Sequence, residues 1–477
     1  MNNVQLYKAT STVDSKHKII IIDDLNEIKG FCPNDEVENF VKEKFNTETL
    51  VEYRNLSNSI FFTKIPREKK HFEQLEFMRR QGGLVFEQLK KETELIIEII
   101  DQSDQDCFVL AVAEGLGISS YFFDKYKKDQ KQPVIHLHLR NEHLKEMLVK
   151  EYNVLIDALS DCRDLVNEPH SFLTAQQLSE ELIQLSKKSG FDIEVWNEEQ
   201  IIEENFHALL AVNKGSQEPP TFNILEYLPD DPINDQPYVL VGKGVVYDTG
   251  GVNLKSTASG TLNKMKSDMA GAATIASVIS AISRNKLPLH VVGLIPATDN
   301  RPGANAIVPG DVIDTHAGKT VEIGNTDAEG RLILADALSY AKRYNPKLVI
   351  DIATLTGSAA MSLGREGVVY MGKAPVNVKN DFEQTGREVY ERVIEFPLWD
   401  EYNDYIASSI ADINNVGGRL AGAITAGKFL QHFTDYDWIH IDIAGAAYYD
   451  RPHFYRPKNA SGVGVRLLYQ FLKSQLK

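Results

Sequence analysis

The sequence predicts an α/β protein of two domains. A smaller N-terminal α/β domain spans residues 1–160, and a larger C-terminal domain spans 161–477, with a mixed sheet covered by helices on both faces. Three observations carry this expectation. Apolar runs of strand length alternate with helix-period segments along the chain. Several runs, such as Leu348 to Ile352, are continuously apolar, which suits strands buried on both faces. A long helical stretch from Asn141 to Val166 ends before Asn167-Glu168-Pro169 and makes a natural connector, since proline disfavours helix in the residue ahead of it.

In the N-terminal part, Ile19 to Ile22 and Ser59 to Ile65 read as strands. Phe72 to Ile100 has helical spacing broken at Gly82-Gly83, and Val134 to Leu139 alternates like a half-buried strand, with His136 and His138 on its polar side. The basic run Lys125 to Lys131 reads as a solvated loop. In the larger part, Tyr238 to Tyr247, Leu289 to Ile295, Leu348 to Ile352 and Trp438 to Ile443 read as strands. Asp268 to Arg284, Gly330 to Tyr344, Arg419 to Phe433 and Gly464 to Leu476 read as helices. Ligands of such sheets bind beyond the carboxyl ends of strands, so the residues just after each strand carry the functional interest.

Composition narrows the class. With 51 Lys+Arg against 67 Asp+Glu the formal net charge is −16, and the excess is spread over both parts. That balance argues against general nucleic-acid or anionic-membrane binding, which needs clustered basic residues. No stretch reaches the ~18 apolar residues of a spanning helix, and MNNVQLYKATSTVDSK has no secretory pattern. Three scattered cysteines (Cys32, Cys107, Cys162) fit a reduced cytoplasmic setting rather than a disulfide framework.

Four segments next to predicted strand ends or helix starts concentrate carboxylates, glycines and lysines. VGKGVVYDTGG holds Lys243 and Asp248, with Lys255 seven residues on. KMKSDMAGAA holds Asp268, NTDAEGR holds Asp327, Glu329 and Arg331, and DIATLTG spans Asp351 to Gly357. If these meet, Asp248, Asp268, Asp327 and Glu329 bring −4 into one cleft, which cannot stay dry without compensation. Two divalent cations supply +4, and Zn²⁺ or Mn²⁺ suits carboxylates plus a nitrogen donor. Lys243 could be that donor if its amine is neutral. In an extended segment Asp327 and Glu329 point the same way, so one segment could serve both ions. Lys255 and Arg331 remain for a developing oxyanion or a small bound anion.

Each residue alone has a plainer reading. Asp268 and Glu329 suit helix starts, where the dipole favours acids, and single lysines are mostly solvated. His316 and His440 read as packing or loop histidines. VGKGVVYDTGG matches neither phosphate-loop pattern, and no Ser/His/Asp or Cys/His set stands out.

NTDAEGRLILADAL resembles the signature of the leucyl aminopeptidase (cytosol aminopeptidase) family of two-metal exopeptidases. VGKGVVYDTGG, KSDMAGAA, PATDN…PGDV, DIATLTG, ADINNVGGR…AGAITA and HIDIAG…GVGVR follow in the family's order, with RDLVNEP and AEGLGISSYFFDKYK upstream. The resemblance implies a metal-dependent aminopeptidase whose larger domain is catalytic and which releases N-terminal residues, bulky apolar ones such as Leu first. It implies Lys243, Asp248, Asp268, Asp327 and Glu329 as metal ligands, Lys255 as the catalytic lysine, and bicarbonate at Arg331. Met265, Thr354 and Gly357 fall where the family lines its side-chain pocket. Peptides as substrates, a homohexamer and a cytoplasmic location are likewise implied. Competing classes are a binding protein acting on DNA and another two-metal hydrolase such as a phosphoesterase.

Two departures stand out. Twelve residues, STASGTLNKMKS, separate Lys255 from Asp268, about two more than the family pattern, so a bulge is expected near Thr257 to Leu262. Ser256 stands where proline is frequent.

Overall fold

Runs of β-branched and aromatic residues become strands in both parts of the chain, described in a computed structural model for residues 3–56, 58–129, 132–257 and 261–476. The chain divides into two compact units. One comprises Met1–Ser160 with Asp450–Lys458, the other Asp161–Tyr449 with Asn459–Lys477. The segment Asp450–Lys458, read from sequence as belonging to the larger part, thus groups with the smaller one.

The smaller unit is built on one six-stranded sheet. Its strands are β1 (Val4–Lys8), β2 (His17–Ile22), β3 (Leu50–Arg54), β4 (Ser59–Lys64), β5 (Glu94–Asp101) and β6 (Val134–Arg140), in the order β1-β6-β5-β2-β4-β3. All neighbours are parallel except β3 beside β4. The run Ile19 to Ile22 explains itself here. Ile19 and Ile21 enter one buried cluster, and Ile20 and Ile22 enter another on the opposite face.

Two expectations fail in this unit. The helix His71–Leu89 runs unbroken through Gly82 and Gly83, and Glu94–Asp101 is a strand rather than its continuation. The glycines are there for contact with a second helix, Cys107–Ser119. A Cβ on Gly82 would stand 2.1 Å from the Val112 carbonyl oxygen, and one on Gly115 would stand 1.9 Å from that of Arg79. Four isoleucines crowded between residues 96 and 100 favour the extended chain. Tyr455, from the returning segment, donates from its hydroxyl to Glu76 Oε2 at 2.8 Å, and its carbonyl accepts from Ser119 Oγ at 3.1 Å.

The larger unit carries a nine-stranded mixed sheet. Its chain order is β7 (Asp192–Trp196), β8 (Thr221–Tyr227), β9 (Tyr238–Gly242), β10 (Gly244–Asp248) and β11 (Val291–Asn300). After two short strands of a separate small sheet, β12 (Val312–Asp314) and β13 (Thr320–Glu322), come β14 (Leu348–Ala353), β15 (Val368–Gly372) and β16 (Val393–Glu395). Then follow β17 (Ile413–Asn414) of the small sheet and β18 (Trp438–Asp442). The spatial order is β16-β15-β18-β14-β9-β11-β8-β7, with β10 beside β11. The centre, β18 to β11, is parallel, while β8 and β15 run antiparallel to their central neighbours. On one face Val239 and Val241 share a buried cluster with Leu332 and Leu338 of the helix Glu329–Ala341. On the other, Gly242 lies so close to the helix Ala270–Arg284 that a Cβ would be 2.8 Å from Ala272 Cα. Both faces are therefore covered.

Within this sheet Asp351 is a structural acid. Its carboxylate accepts from Trp438 Nε1 and pairs with His440 Nδ1, both at 2.6 Å. Burial alone would lower the His440 pKa, but Asp351 outweighs it and holds the imidazole above its ordinary range. The predicted strand Tyr238 to Tyr247 is two strands, interrupted at Lys243. Among the described residues no helix is long and apolar enough to cross a membrane.

The helix contact gives a test. Alanine at Gly115 gains helix propensity of roughly 1 kcal/mol, yet its Cβ would overlap a backbone oxygen that cannot swing away. A net loss of ~1–3 kcal/mol in denaturant unfolding is expected. Gly30→Ala, where no atom lies within 4 Å, should change little. Equal stability of the two variants would contradict the packing.

Candidate metal centre

The break between β9 and β10 places a lysine where two strands and two helices meet. Lys243 N donates to the Ile352 carbonyl at 3.2 Å, and its own carbonyl accepts from Ala272 N at 3.0 Å. Gly271 permits this approach, since a Cβ there would lie 2.1 Å from the Ile352 oxygen. The Lys243 side chain is buried and ends 2.8 Å from Asp268 Oδ2 and 2.9 Å from Glu329 Oε1. Its Nζ also donates to the Thr354 carbonyl at 3.0 Å. Gly330 makes room for it, because a Cβ there would fall 2.6–2.8 Å from the lysine Cε, Nζ and Cδ.

Asp248 closes β10. Its Oδ1 accepts from Gly250 N at 2.8 Å and from Asn300 Nδ2, at the end of β11, at 2.9 Å. Its Oδ2 lies 2.6 Å from Lys255 Nζ, which is also 2.6 Å from Asp327 Oδ1. Gly250, at φ +86°, makes the turn that returns Lys255 toward Asp248. The segment around Asp327 is a turn, not the extended stretch expected. Asn325 Oδ1 accepts from Asp327 N at 2.8 Å, and Glu329 starts the following helix. The two acids consequently face different lysines.

Two ammonium groups among four carboxylates leave a formal charge of −2. Burial pushes the Asp248 carboxyl well above the usual carboxylate range and lifts Asp268 to about 7. Burial also works to raise Glu329, but Lys243 and then Lys255 outweigh it and hold Glu329 below its ordinary value. Both lysines resist their own burial because the surrounding carboxylates favour the ammonium form. Asp268 Oδ2 and Asp327 Oδ1 are each met by a lysine ammonium, at 2.8 and 2.6 Å. One ligand atom from each of Asp248, Asp268 and Glu329 lies within 4.8 Å of the others. Excess negative charge and converging hard donors fit a divalent cation. A cation there would favour the neutral amine of Lys243, the reverse of the state its carboxylate neighbours impose.

The remaining predicted residues surround this cluster. Arg331 is buried, which lowers its guanidinium to about 10. Its Nη1 donates to the Asn415 carbonyl at 2.7 Å, and its Nε has no partner. Thr354 Oγ1 donates to Asp268 Oδ1 at 2.8 Å. Gly357 opens the helix Gly357–Leu363 and faces open space, and half-buried Met265 lies one turn before Asp268. Of the expected bulge, residues 258–260 lie outside the described residues, as do residues 130 and 131 of the basic run.

His316 is held by Ser339 Oγ at 2.8 Å and packs at a tilt of 57° against the Phe206 ring. Asp351, counted among the candidate segments, serves the sheet instead. Sequence reasoning missed Asn300 and Asn415 as supports for Asp248 and Arg331. Both lie inside quoted motifs, so the signal was the motif rather than the residue type.

A family description, cytosol aminopeptidase family, catalytic domain, matches residues 160–469. A probable cytosol aminopeptidase of Chlorobaculum tepidum is 44% identical over 379 residues, covering 76% of this chain and 74% of that one. Its counterpart in Clostridium perfringens is 35% identical over 486 residues, covering 94% and 96%. Among solved structures, the bottromycin maturation enzyme BotP in complex with Mn superposes with a TM-score of 0.86 at 27% identity, over 97% of this chain and all of that one.

The charge pattern makes one stability test direct. In chelator-treated protein, Lys243→Met should cost ~3–5 kcal/mol in denaturant unfolding, because it strands buried carboxylates. An unchanged midpoint would mean that the lysine does not compensate them.

Proposed function

The chain belongs to the cytosol aminopeptidase family and is a peptidase, and from that premise we propose that it releases bulky apolar N-terminal residues, such as Leu, from peptides. The observation that carries this reading is the cluster of four carboxylates around two lysines, Lys243 buried and Lys255 half-buried, whose two charges leave an excess of −2.

Lys243, Asp248, Asp268, Asp327 and Glu329 would hold two divalent ions, Zn²⁺ or Mn²⁺. Such ions supply an acidified water as nucleophile and polarise the scissile carbonyl. The protein's own groups then do the following. Asp268, oriented by Thr354, receives the free α-amine of the substrate, which restricts attack to the first peptide bond. Lys255 offers its ammonium to the carbonyl oxygen as negative charge develops there. Arg331, whose Nε has no partner, is the group that would hold bicarbonate, a general base by its chemistry. Met265, Thr354 and Gly357 would contact the departing side chain, Gly357 leaving space for bulk.

The larger unit carries all of these residues and is the catalytic one in this reading, with residues 1–160 as an accessory α/β domain. The resemblance supports a cytoplasmic homohexamer, which light scattering would test.

Chelation should abolish hydrolysis of a leucine chromogenic amide, and Zn²⁺ or Mn²⁺ should restore it. Hydrolysis of phosphate esters instead would favour a phosphoesterase, and a DNA mobility shift at physiological salt without hydrolysis would favour a binding protein. Lys255→Ala should retain metal and lose roughly 10²–10³-fold or more in turnover; normal turnover would remove its role. Asp327→Ala should hold fewer than two ions per chain by metal analysis, so two retained ions would exclude it as a ligand.

A further inference from the structure

A second polar cavity of about 480 Å³ lies in the larger unit, lined by residues absent from the reaction above. Its walls are the loop after the short helix His207–Asn213 and the loop after β11. Two glycines bring the loops together. A Cβ on Gly215 would lie 2.0 Å from the Arg301 carbonyl oxygen, and one on Gly303 would lie 2.6 Å from that of Gly215. Asn213 ties the first loop to the strand, donating to Thr298 Oγ1 at 3.0 Å and to the Glu218 carbonyl at 2.8 Å.

The floor of the cavity is Asp299, only 3% exposed. Its Oδ2 accepts from Arg301 Nε at 2.8 Å, but its Oδ1 is buried with no hydrogen-bond partner. A carboxylate oxygen left without a donor in the lining of a cavity is costly unless a donor is supplied. The opposite requirement is present as well. Lys214 lines the rim with an exposed ammonium, and the Arg301 guanidinium lies 4.7 Å from the Tyr247 ring centroid. His170 Nε2 lies 3.7 Å from Asp299 Oδ2, and burial and then Arg301 hold this ring below its ordinary pKa. A simple anion would meet Asp299 and Glu218, and a simple cation would meet Lys214 and Arg301. A molecule bearing both charges satisfies each wall.

We infer that this cavity binds a small zwitterion, a free α-amino acid, with its ammonium on Asp299 Oδ1 and its carboxylate between Lys214 and Arg301. The site is joined to the metal centre by one peptide link. Asn300, next to Asp299, holds Asp248 through its side chain, and its carbonyl accepts from Thr249 N at 3.0 Å. An occupant drawing on Asp299 therefore loads the strand end that positions Asp248. A role as a sensor of released product rests on the aminopeptidase reading, whereas the binding itself does not.

The test is calorimetric titration of L-leucine into the full chain with its metals. The wild type should show a site that Lys214→Ala weakens roughly ten- to a hundred-fold, as loss of a charge-assisted hydrogen bond does, and that Lys214→Ala/Arg301→Gln abolishes. Lys214 is exposed, so the single variant carries no folding risk. N-acetyl-L-leucine and isoamylamine, each lacking one charge and neither bearing a free amine on a cleavable amide, should fail to fill that site. Identical isotherms for wild type and double variant would overturn the inference, as would equal filling by either analogue. Leucine-amide hydrolysis run alongside reads the peptidase assignment separately, because its absence would leave the calorimetric difference standing.

Discussion

Four carboxylates and two lysines share a largely buried space at the carboxyl ends of β9, β10 and β14, and the surrounding backbone is arranged to keep them there. Each acid comes from a different turn or helix start, so no local segment could hold the group by itself. The lysines act as internal counter-ions that let the acids, three of them buried, sit close together, and their two charges fall short of four. That shortfall is the property a divalent ion would use. A site fully neutralised by its own lysines would offer a cation little reason to enter.

The same demand explains the glycines. Gly242, Gly271 and Gly330 lie where the lysine and its backbone pass between β14 and two helices, and a methyl group at any of them would collide with a neighbour. They are spacers rather than hinges, in contrast to Gly250, whose positive φ is needed for a turn. Asn300 and Asn415 complete the frame by spending side-chain hydrogen bonds on the strand ends and turns that present the charged groups.

Much of this was legible from the chain, for a physical reason. Continuously apolar strands mark a covered sheet, and such a sheet directs attention to the polar residues that follow each strand. The carboxylate grouping could be drawn from that rule and from charge arithmetic. What could not be read was set by contacts distant in sequence. Gly82-Gly83 looks like a helix break until Val112 is known to touch it. Asp351 looks like a site residue until Trp438 and His440 are seen to take both its oxygens. The turn at Asp327 depends on Asn325 and Asn415, which no periodicity reveals.

The segment Asp450–Lys458 bears on how the molecule is made. A ribosome delivers residues 1–160 first, yet the smaller unit lacks Tyr455, the partner of Glu76 and Ser119, until nearly the whole chain has emerged. Domains generally mature in order of synthesis, but here the first to appear stays unfinished until only residues 459–477 of the second remain to be made. For that interval Gly83, against which Tyr455 packs, stays open to water and to chaperones, and a stop codon shortly before residue 450 would leave both units incomplete.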